Sequence, residues 1–206
     1  MSRKEIFIIR HGQTENNRLG IVQGKGVNLP LNELGRKQAS LFYETFRNEG
    51  FDVVYTSTLI RAQESVKQFI EDGIKHEIRS AIDEISWGIF EGNKSLTEQS
   101  DDFKNLLKSW DEGQLHEKPQ GGESPTELQQ RQLPFVEELK KIDDKKILVC
   151  MHGRAMRSLL CTLTETPLNR MSDFEHVNLT LYKLSLNEYG NFSVDLHNDT
   201  THLKDI

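Results

Sequence analysis

The sequence predicts one α/β domain in which a mostly parallel central sheet is covered by helices on both faces, giving three α/β/α layers. Short apolar runs alternate with segments whose apolar residues recur at helical spacing, which is typical of α/β proteins. Two of these runs, 5–10 and 146–151, are apolar nearly throughout, as expected of central strands that are buried on both faces. The 206 residues contain no repeat and no linker-like segment, so we expect a single domain over 1–206.

The remaining elements follow from local sequence signals. Apolar residues at helical spacing that end near a glycine predict helices at 32–49 and 59–71. Ser124-Pro125-Thr126-Glu127 is a capping box with proline at the first helical position, and it predicts a helix to about residue 141. The other expected elements, in chain order, are strands at 52–56 and 75–79, helices at about 96–110 and at 155–163, and a terminal hairpin of 180–186 and 192–197.

Composition and charge argue against several classes of protein. The chain carries 26 Lys and Arg against 32 Asp and Glu, a net charge of −6, which argues against broad binding to nucleic acid or anionic membranes. No segment approaches the roughly 18 consecutive apolar residues of a membrane helix, and no signal-peptide pattern is present. Cys150 and Cys161 lie in apolar patterns without metal-binding spacing, so we expect both to be buried and reduced. These features predict a cytoplasmic protein.

Two histidine-glycine pairs stand immediately after the two predicted central strands. Arg10-His11-Gly12 follows the first strand and His152-Gly153 follows the second. Because ligands bind beyond the carboxyl ends of parallel strands, we expect the two pairs to meet at one edge of the sheet. A neutral imidazole is a competent nucleophile near neutral pH, and arginine presents a planar fork that matches phosphate oxygens. This combination suits the transfer of a phosphoryl group without a metal.

Two further segments supply groups that such a reaction needs. Arg61 is expected in the first turn of the helix at 59–71, which is an unfavourable place for a cation unless an anion lies nearby. Glu84 lies in a segment rich in glycine and aromatic residues and could donate a proton to the leaving oxygen. Taken alone, each has an ordinary alternative, since Arg61 could be a surface residue and Glu84 a capping or ion-pairing carboxylate.

The ordered motifs resemble those of the histidine phosphatase superfamily. The matching residues occur in the same order along nearly the whole chain: Arg10-His11-Gly12, Ser57-x-x-x-Arg61-Ala62, Glu84, Gly121-Gly122-Glu123-Ser124 and His152-Gly153. The resemblance implies a phosphoglycerate mutase-like fold and a transiently phosphorylated histidine. The polar segment at about 91–122 is the candidate for a lid that selects the substrate.

The resemblance also implies a role for each matching residue. His11 would be the phosphorylated nucleophile. The phosphate pocket around it would be formed by Arg10, Arg61 and His152. Glu84 would protonate the leaving oxygen and afterwards activate water. Contacts to phosphate or substrate are implied for Asn17, Gln23, Gly24 and Gly153. No metal ligand is implied.

The acceptor of the phosphoryl group is either water or a bound phosphoglycerate. Mutases resemble one another in an arginine directly after the acidic residue and in paired arginines within an inserted segment. Here Ile85 follows Glu84, and 102–115 contains no arginine. We therefore expect a phosphoric monoester hydrolase of the histidine acid phosphatase type, acting on a small phosphorylated substrate without a cofactor. The alternative is a phosphoglycerate mutase, which would use 2,3-bisphosphoglycerate as its cofactor.

Two other interpretations stay open at this point. The chain could be a phosphate-binding module without turnover, although every matching catalytic residue type is present. A metal site could be built around His11, His152 and His176, although their spacing fits no short metal-binding motif. The other four histidines fall in polar segments and are expected at the surface: His76, His116, His197 and His202. The sequence leaves the identity of the substrate and the oligomeric state open.

Overall fold

The fold is built on a six-stranded mixed sheet. The structure, a computed structural model, describes residues 4–93, 100–204 and 206. The strands, in chain order, are β1 (Lys4–Arg10), β2 (Val53–Thr56), β3 (Lys75–Ile78), β4 (Lys146–Met151), β5 (Leu181–Leu186) and β6 (Phe192–Asp199). Their order across the sheet is β3-β2-β4-β1-β5-β6; the first four are parallel, β5 is antiparallel to β1, and β6 is antiparallel to β5. The predicted α/β fold with a mostly parallel sheet is confirmed.

Helices connect the parallel strands. The α-helices of the described residues are α1 (Glu15–Leu19), α2 (Glu33–Phe46), α3 (Ile60–Ser65), α4 (Lys67–Glu71), α5 (Asp101–Asp111), α6 (Pro125–Lys141) and α7 (Gly153–Leu163). α6 has the predicted bounds because its capping box forms: the Ser124 side chain accepts from the Glu127 amide, and the Glu127 side chain accepts from the Ser124 amide. Short 3-10 segments are found at Ser80–Ile82, Gly88–Phe90, Leu168–Asp173 and Thr201–Leu203, and the third of them is kinked at Arg170.

Alternate strand residues pack against the helices on opposite faces of the sheet. In β1, Ile6 and Ile8 join a cluster that contains side chains of α5, α6 and α7. Phe7 and Ile9 join a second cluster with side chains of α2, α3 and α4. All four side chains are at most 1% exposed, as expected of a central strand in a three-layer domain.

The helix predicted at 59–71 is broken into α3 and α4, so the prediction of one continuous helix is wrong. The break lies at Val66, whose backbone leaves the helical region at φ −122 and ψ 13. The Ser65 hydroxyl donates to the Arg61 carbonyl four residues earlier at 2.6 Å, a bond that tends to bend helices. The same hydroxyl accepts from the Gly12 amide at 2.9 Å, which ties the bend to the loop after β1.

Two further expectations concern the ends of elements and buried side chains. The helix expected from about residue 96 begins at Asp101 in the structure, and 96–99 lie outside the described residues. His202 was expected at the surface, but its side chain is buried because the turn Thr201–Leu203 packs against α2. Its Nε2 donates to the Leu179 carbonyl at 2.9 Å. Cys150 and Cys161 are buried free thiols, as predicted.

Within residues 4–93, 100–204 and 206, no helix combines the length and apolar character that a membrane crossing needs.

Candidate active site

The two histidine-glycine pairs lie side by side at the carboxyl edge of the sheet. β1 and β4 are adjacent and parallel, with Arg10 opposite Met151. The His11 amide donates to the Met151 carbonyl at 2.9 Å, and the ring centroids of His11 and His152 are 5.1 Å apart. The expected meeting of the two pairs at one edge of the sheet is therefore confirmed.

Among the described residues, one hydrogen bond from its ring holds His11 in its orientation. Nδ1 lies 2.7 Å from the Gly12 carbonyl oxygen, which can only accept, so Nδ1 carries the proton and Nε2 carries the lone pair. Burial, with the charges of Arg61 and Arg10, lowers the pKa of His11 well below its usual value. His11 is consequently a neutral imidazole at neutral pH, which is the nucleophilic form.

His152 and Arg61 form a fully buried pair beside His11. Arg61 Nε donates to His152 Nδ1 at 3.2 Å, so Nε2 of the neutral His152 ring carries the proton and donates to Ser57 Oγ at 2.7 Å. Burial, with the charge of Arg61, lowers the pKa of His152 well below its usual value. The His152 ring is therefore neutral, and both of its nitrogen atoms already have hydrogen-bond partners.

Arg61 is a buried cation and not a surface residue. Its remaining donors reach the carbonyl oxygens of Val27 at 2.5 Å and of Gly24 at 3.2 Å. Burial lowers the pKa of Arg61 to about 10, so the guanidinium keeps its charge at neutral pH. Gly24 contributes a backbone carbonyl to Arg61, a contact that the sequence did not indicate.

A cavity of about 310 Å³ opens beside His11, which is at the small end of the roughly 300–1,000 Å³ typical of small-molecule sites. Six of the nine predicted site residues line it: Arg10, His11, Asn17, Gln23, Glu84 and Gly153. The other three lie behind the lining: the His152 ring packs beside that of His11, and Arg61 bonds to His152 and to Gly24. The remaining lining residues are Val22, Trp87, Phe103, Leu107, Arg154, Arg157 and His176.

Two amide side chains after β1 reach the cavity. Asn17 Oδ1 accepts from the Thr14 amide at 3.1 Å and from Asn178 Nδ2 at 3.3 Å, and its Nδ2 donates to no group of the described residues. Gln23 Nε2 donates to Thr14 Oγ1 at 2.6 Å, while Gln23 Oε1 is buried and accepts from none of them. Asn178 also donates to the His11 carbonyl at 3.0 Å, and no sequence motif pointed to it.

The Glu84 carboxylate is oriented by three backbone amides. Oε1 accepts from Ile85 at 2.9 Å and from Ala155 at 2.8 Å, and Oε2 accepts from Arg154 at 3.2 Å. Two of these amides belong to the first turn of α7, where backbone N–H groups have no partners within the helix. The carboxylate is thus fixed at the wall of the cavity that His11 also lines.

Arg131 holds the chain segment that carries Glu84. Its guanidinium donates to the Glu84 carbonyl at 3.3 Å and to the Glu123 carboxylate at 2.9 and 3.0 Å. Glu123 in turn accepts from the Ser86 amide at 2.8 Å. Arg131 also donates to the carbonyl oxygens of Ser80, Ala81 and Asp83. Glu123, the glutamate of the Gly-Gly-Glu-Ser motif, therefore fixes the turn around Glu84. Arg131 adds further hydrogen bonds to this turn, although it belongs to no motif.

Arg10 and His176 are joined across the cavity wall. Arg10 Nη1 donates to His176 Nδ1 at 3.1 Å. Burial, with the charges of Arg10 and Arg157, lowers the pKa of His176 to about 2, so this ring is neutral. Gly153 leaves room for that ring, because a Cβ atom at position 153 would lie 2.7 Å from His176 Cε1. Sequence reasoning considered His176 as a metal ligand and did not anticipate this contact.

Two arginines of α7 and an apolar wall complete the cavity. The Arg154 guanidinium lies 5.5 Å from the Trp110 ring centroid and 5.7 Å from that of Trp87, a cation–π arrangement. Arg157 Nε donates to the Phe174 carbonyl at 2.9 Å. The apolar wall consists of Val22, Trp87, Phe103 and Leu107. Trp87 packs against the rings of Phe103 and Trp110, and the contribution of Arg157 to the cavity was not foreseen.

In the described part of the chain, no group of three or more His, Cys, Asp and Glu residues is arranged to hold a metal ion. Nδ1 of His11 and both ring nitrogens of His152 are engaged in hydrogen bonds with protein groups. The expectation of a site without a metal stays a prediction.

Comparison with known proteins identifies the family. The profile of the histidine phosphatase superfamily (branch 1) matches residues 6–200, so the chain belongs to this superfamily. Phosphoserine phosphatase 1 of Hydrogenobacter thermophilus is 28% identical over 201 residues, 97% of this chain and 94% of that protein. A probable phosphoglycerate mutase, GpmB of Yersinia enterocolitica, is 27% identical over 208 residues, again 97% and 94% of the two chains.

A solved structure shows the same fold. The mycobacterial glucosyl-3-phosphoglycerate phosphatase, whose structure was solved as a complex with VO3, superposes with a TM-score of 0.84 at 24% sequence identity. The match covers 96% of this chain and 100% of that one. The proteins similar to this chain thus include phosphatases and a probable phosphoglycerate mutase.

Proposed function

We propose that the protein is a phosphatase that hydrolyses a small phosphate monoester through a phosphohistidine on His11, with Glu84 as general acid and base. The proposal is carried by one observation, the neutral His11 ring with its lone pair on Nε2 at a cavity that Arg10 and Glu84 also line. The phosphatases among the relatives support hydrolysis as the reaction class.

In the first step, the Nε2 lone pair of His11 attacks phosphorus, and the N–P bond forms as the ester P–O bond breaks. Glu84 gives its proton to the leaving oxygen, so the product leaves as a neutral alcohol. Arg10 and the buried charge of Arg61 stabilise the negative charge on the transferring group, and Asn17 Nδ2 donates a hydrogen bond to it.

In the second step, Glu84 acts as a base. Its carboxylate takes a proton from a water molecule, and the resulting hydroxide attacks the phosphorus of the phosphohistidine. The N–P bond breaks, the electron pair returns to Nε2 of His11, and inorganic phosphate leaves. No step calls for a metal or an organic cofactor, so we propose that the enzyme needs neither.

The segment at about 91–122 is proposed to form the lid. Phe103 and Leu107 of this segment line the cavity, so a movement of α5 would change the space available to the alcohol part of a substrate. We also propose that the protein acts in the cytoplasm and that its substrate is a small molecule. The net charge of −6 disfavours nucleic acid and anionic membranes as partners.

A phosphoglycerate mutase is the second candidate, and one observation favours it. The segment 102–115 lacks arginine, but Arg154 and Arg157 bring two cations to the same cavity from α7. These cations could hold the carboxylate of a phosphoglycerate, and a probable mutase is among the relatives. In that case 2,3-bisphosphoglycerate would supply the phosphoryl group on His11.

A panel of phosphate esters, including p-nitrophenyl phosphate, tests the proposal through release of inorganic phosphate. We expect hydrolysis by the wild-type protein and none by His11→Ala; equal activity of the two would refute the assignment of the nucleophile. A protein that binds vanadate but hydrolyses no ester would instead be a binding module. Rapid conversion of 3-phosphoglycerate to 2-phosphoglycerate, with catalytic 2,3-bisphosphoglycerate present, would establish the mutase.

A further inference from the structure

The cavity carries two cations for which the proposed reaction has no use. Three guanidinium groups line it, from Arg10, Arg154 and Arg157, and Glu84 is the one carboxylate among the described lining residues. Arg10 adjoins His11 and serves the transferring phosphoryl group. Arg154 and Arg157 come from α7, and their side chains have no part in either chemical step.

The cations divide between two ends of the cavity. The arginine charges that act most strongly on His11 are those of Arg61 and Arg10. The arginine charges that act most strongly on His176 are those of Arg10, Arg157 and Arg154. Arg10, hydrogen-bonded to His176 at 3.1 Å, thus lies between the His11 end and a second end around His176. Arg157 belongs to that second end because it bonds to the carbonyl of Phe174, two residues before His176, and Arg154 lines the same cavity one turn of α7 earlier.

The two arginines at the second end are held in place by the fold and are not surface charges that happen to lie close together. Arg154 is 9% exposed and lies over two tryptophan rings. The Arg157 guanidinium is oriented by the bond from its Nε to the Phe174 carbonyl, and within the described residues it forms no ion pair with a carboxylate. Holding the Arg157 cation in such surroundings is costly unless an anion meets it.

We propose that Arg154 and Arg157 form a second anion-binding subsite, which takes a carboxylate or a second phosphate on the alcohol part of the substrate. The inference rests on the proposed function, because it assigns the reacting phosphate to the His11 end. Each arginine offers a planar fork that fits either anion. The apolar wall around Trp87 and Phe103 would contact the short carbon chain between the two charged groups.

Matched pairs of esters test this subsite. The first pair is 3-phosphoglycerate and glycerol 3-phosphate, which differ by a carboxylate in place of a hydroxymethyl group. The second pair is fructose 1,6-bisphosphate and fructose 6-phosphate, which differ by one phosphate. We expect the wild-type protein to prefer the more anionic member of at least one pair by roughly ten- to hundredfold in kcat/KM. This factor corresponds to the charge-assisted hydrogen bond that the less anionic ester cannot form. The pair that is discriminated identifies the anion.

Variants connect that preference to the two arginines. Arg154→Gln and Arg157→Gln should each reduce the preference within the pair by about tenfold. Because the two esters are compared in the same variant, a general loss of activity cancels. Arg157→Lys keeps the charge and should retain part of the preference. Arg170→Gln is the matched control, since Arg170 is an exposed arginine paired with Asp173, and the wild-type preference should persist.

Binding of the same esters, measured by titration calorimetry, separates this proposal from the proposed function. If p-nitrophenyl phosphate is hydrolysed but neither pair is discriminated more than about threefold, the subsite is wrong and the phosphatase proposal stands. If no ester is hydrolysed yet one pair is discriminated in Kd and Arg157→Gln removes the difference, the subsite stands and the phosphatase proposal fails. A preference that survives both glutamine variants overturns the subsite.

Discussion

Replacing Arg131 with methionine tests how the position of Glu84 is maintained. The Arg131 guanidinium donates to the Glu84 carbonyl at 3.3 Å, to the Asp83 carbonyl at 3.2 Å and to the Glu123 carboxylate at 2.9 and 3.0 Å. Its side chain is 18% exposed and that of Glu123 is 21% exposed. Methionine keeps an unbranched apolar stem but donates no hydrogen bond, so Glu123 would lose its cation and four backbone carbonyls would lose a donor.

Both stability and catalysis should suffer in Arg131→Met. Removing one partner of a mostly buried ion pair costs about 3–5 kcal/mol, and slight exposure of both partners favours the lower end of that range. We therefore expect the free energy of unfolding to fall by about 3 kcal/mol. A displacement of the Glu84 carboxylate by about 1 Å would lower kcat by up to about a hundredfold for an alkyl phosphate.

Urea unfolding followed by circular dichroism measures the first effect, and steady-state kinetics on an alkyl phosphate measures the second. Arg170→Met is the matched control, because Arg170 is 63% exposed in its pair with Asp173 and its loss should leave both measurements unchanged. If Arg131→Met unfolds at the same urea concentration as Arg170→Met and retains wild-type kcat, the guanidinium does not hold the Glu84 segment.

Three further predictions follow from the site. Glu84→Gln should slow hydrolysis of alkyl phosphates far more than that of p-nitrophenyl phosphate, whose leaving group needs no proton; an equal loss on both would contradict a general acid. Gly153→Ala would place a Cβ atom 2.7 Å from the His176 ring, so kcat/KM should fall by about tenfold or more. Circular dichroism should show that the variant stays folded. Wild-type kinetics in this variant would show that the His176 ring moves freely. Burial lowers the pKa values of His11, His152 and His176, so on acidification the unfolded chain binds protons at these rings before the folded protein does. The stability that the neutral rings contribute is complete above about pH 6.5 and should be lost as the pH falls below it. The loss should reach up to about 1.4 kcal/mol per pH unit for each ring. His176→Asn should reduce that slope in urea titrations between about pH 7 and about pH 5.5, and an unchanged slope would contradict a neutral His176.

Elements with strong local signals are the ones that sequence reasoning predicts well. β1 is apolar nearly throughout, and the capping box of α6 marks its first residue. The break between α3 and α4 has no such signal, because it depends on the hydroxyl of Ser65, which bonds to the amide of Gly12 far away in sequence. The burial of His202 likewise depends on how the last turn packs on α2, against the rings of Phe42 and Phe46.

The same distinction applies to the site. His11 and Glu84 stand in short ordered motifs, so their placement at one cavity could be expected before any coordinates. His176 contacts Arg10 across 166 residues of sequence, and Arg131 acts on Glu84 from the middle of α6. Such contacts are determined by how the layers pack, and a single sequence contains no local signal for them.

Covalent phosphorylation of His11 is the step on which the proposed mechanism depends most. Rapid quenching of the wild-type protein with a radiolabelled ester that it hydrolyses, followed by peptide mapping under alkaline conditions, measures this directly. The predicted result is an acid-labile label on the peptide that contains His11, formed at least as fast as product and absent from His11→Ala. Turnover without any label on that peptide, or a label that persists in His11→Ala, would contradict the account.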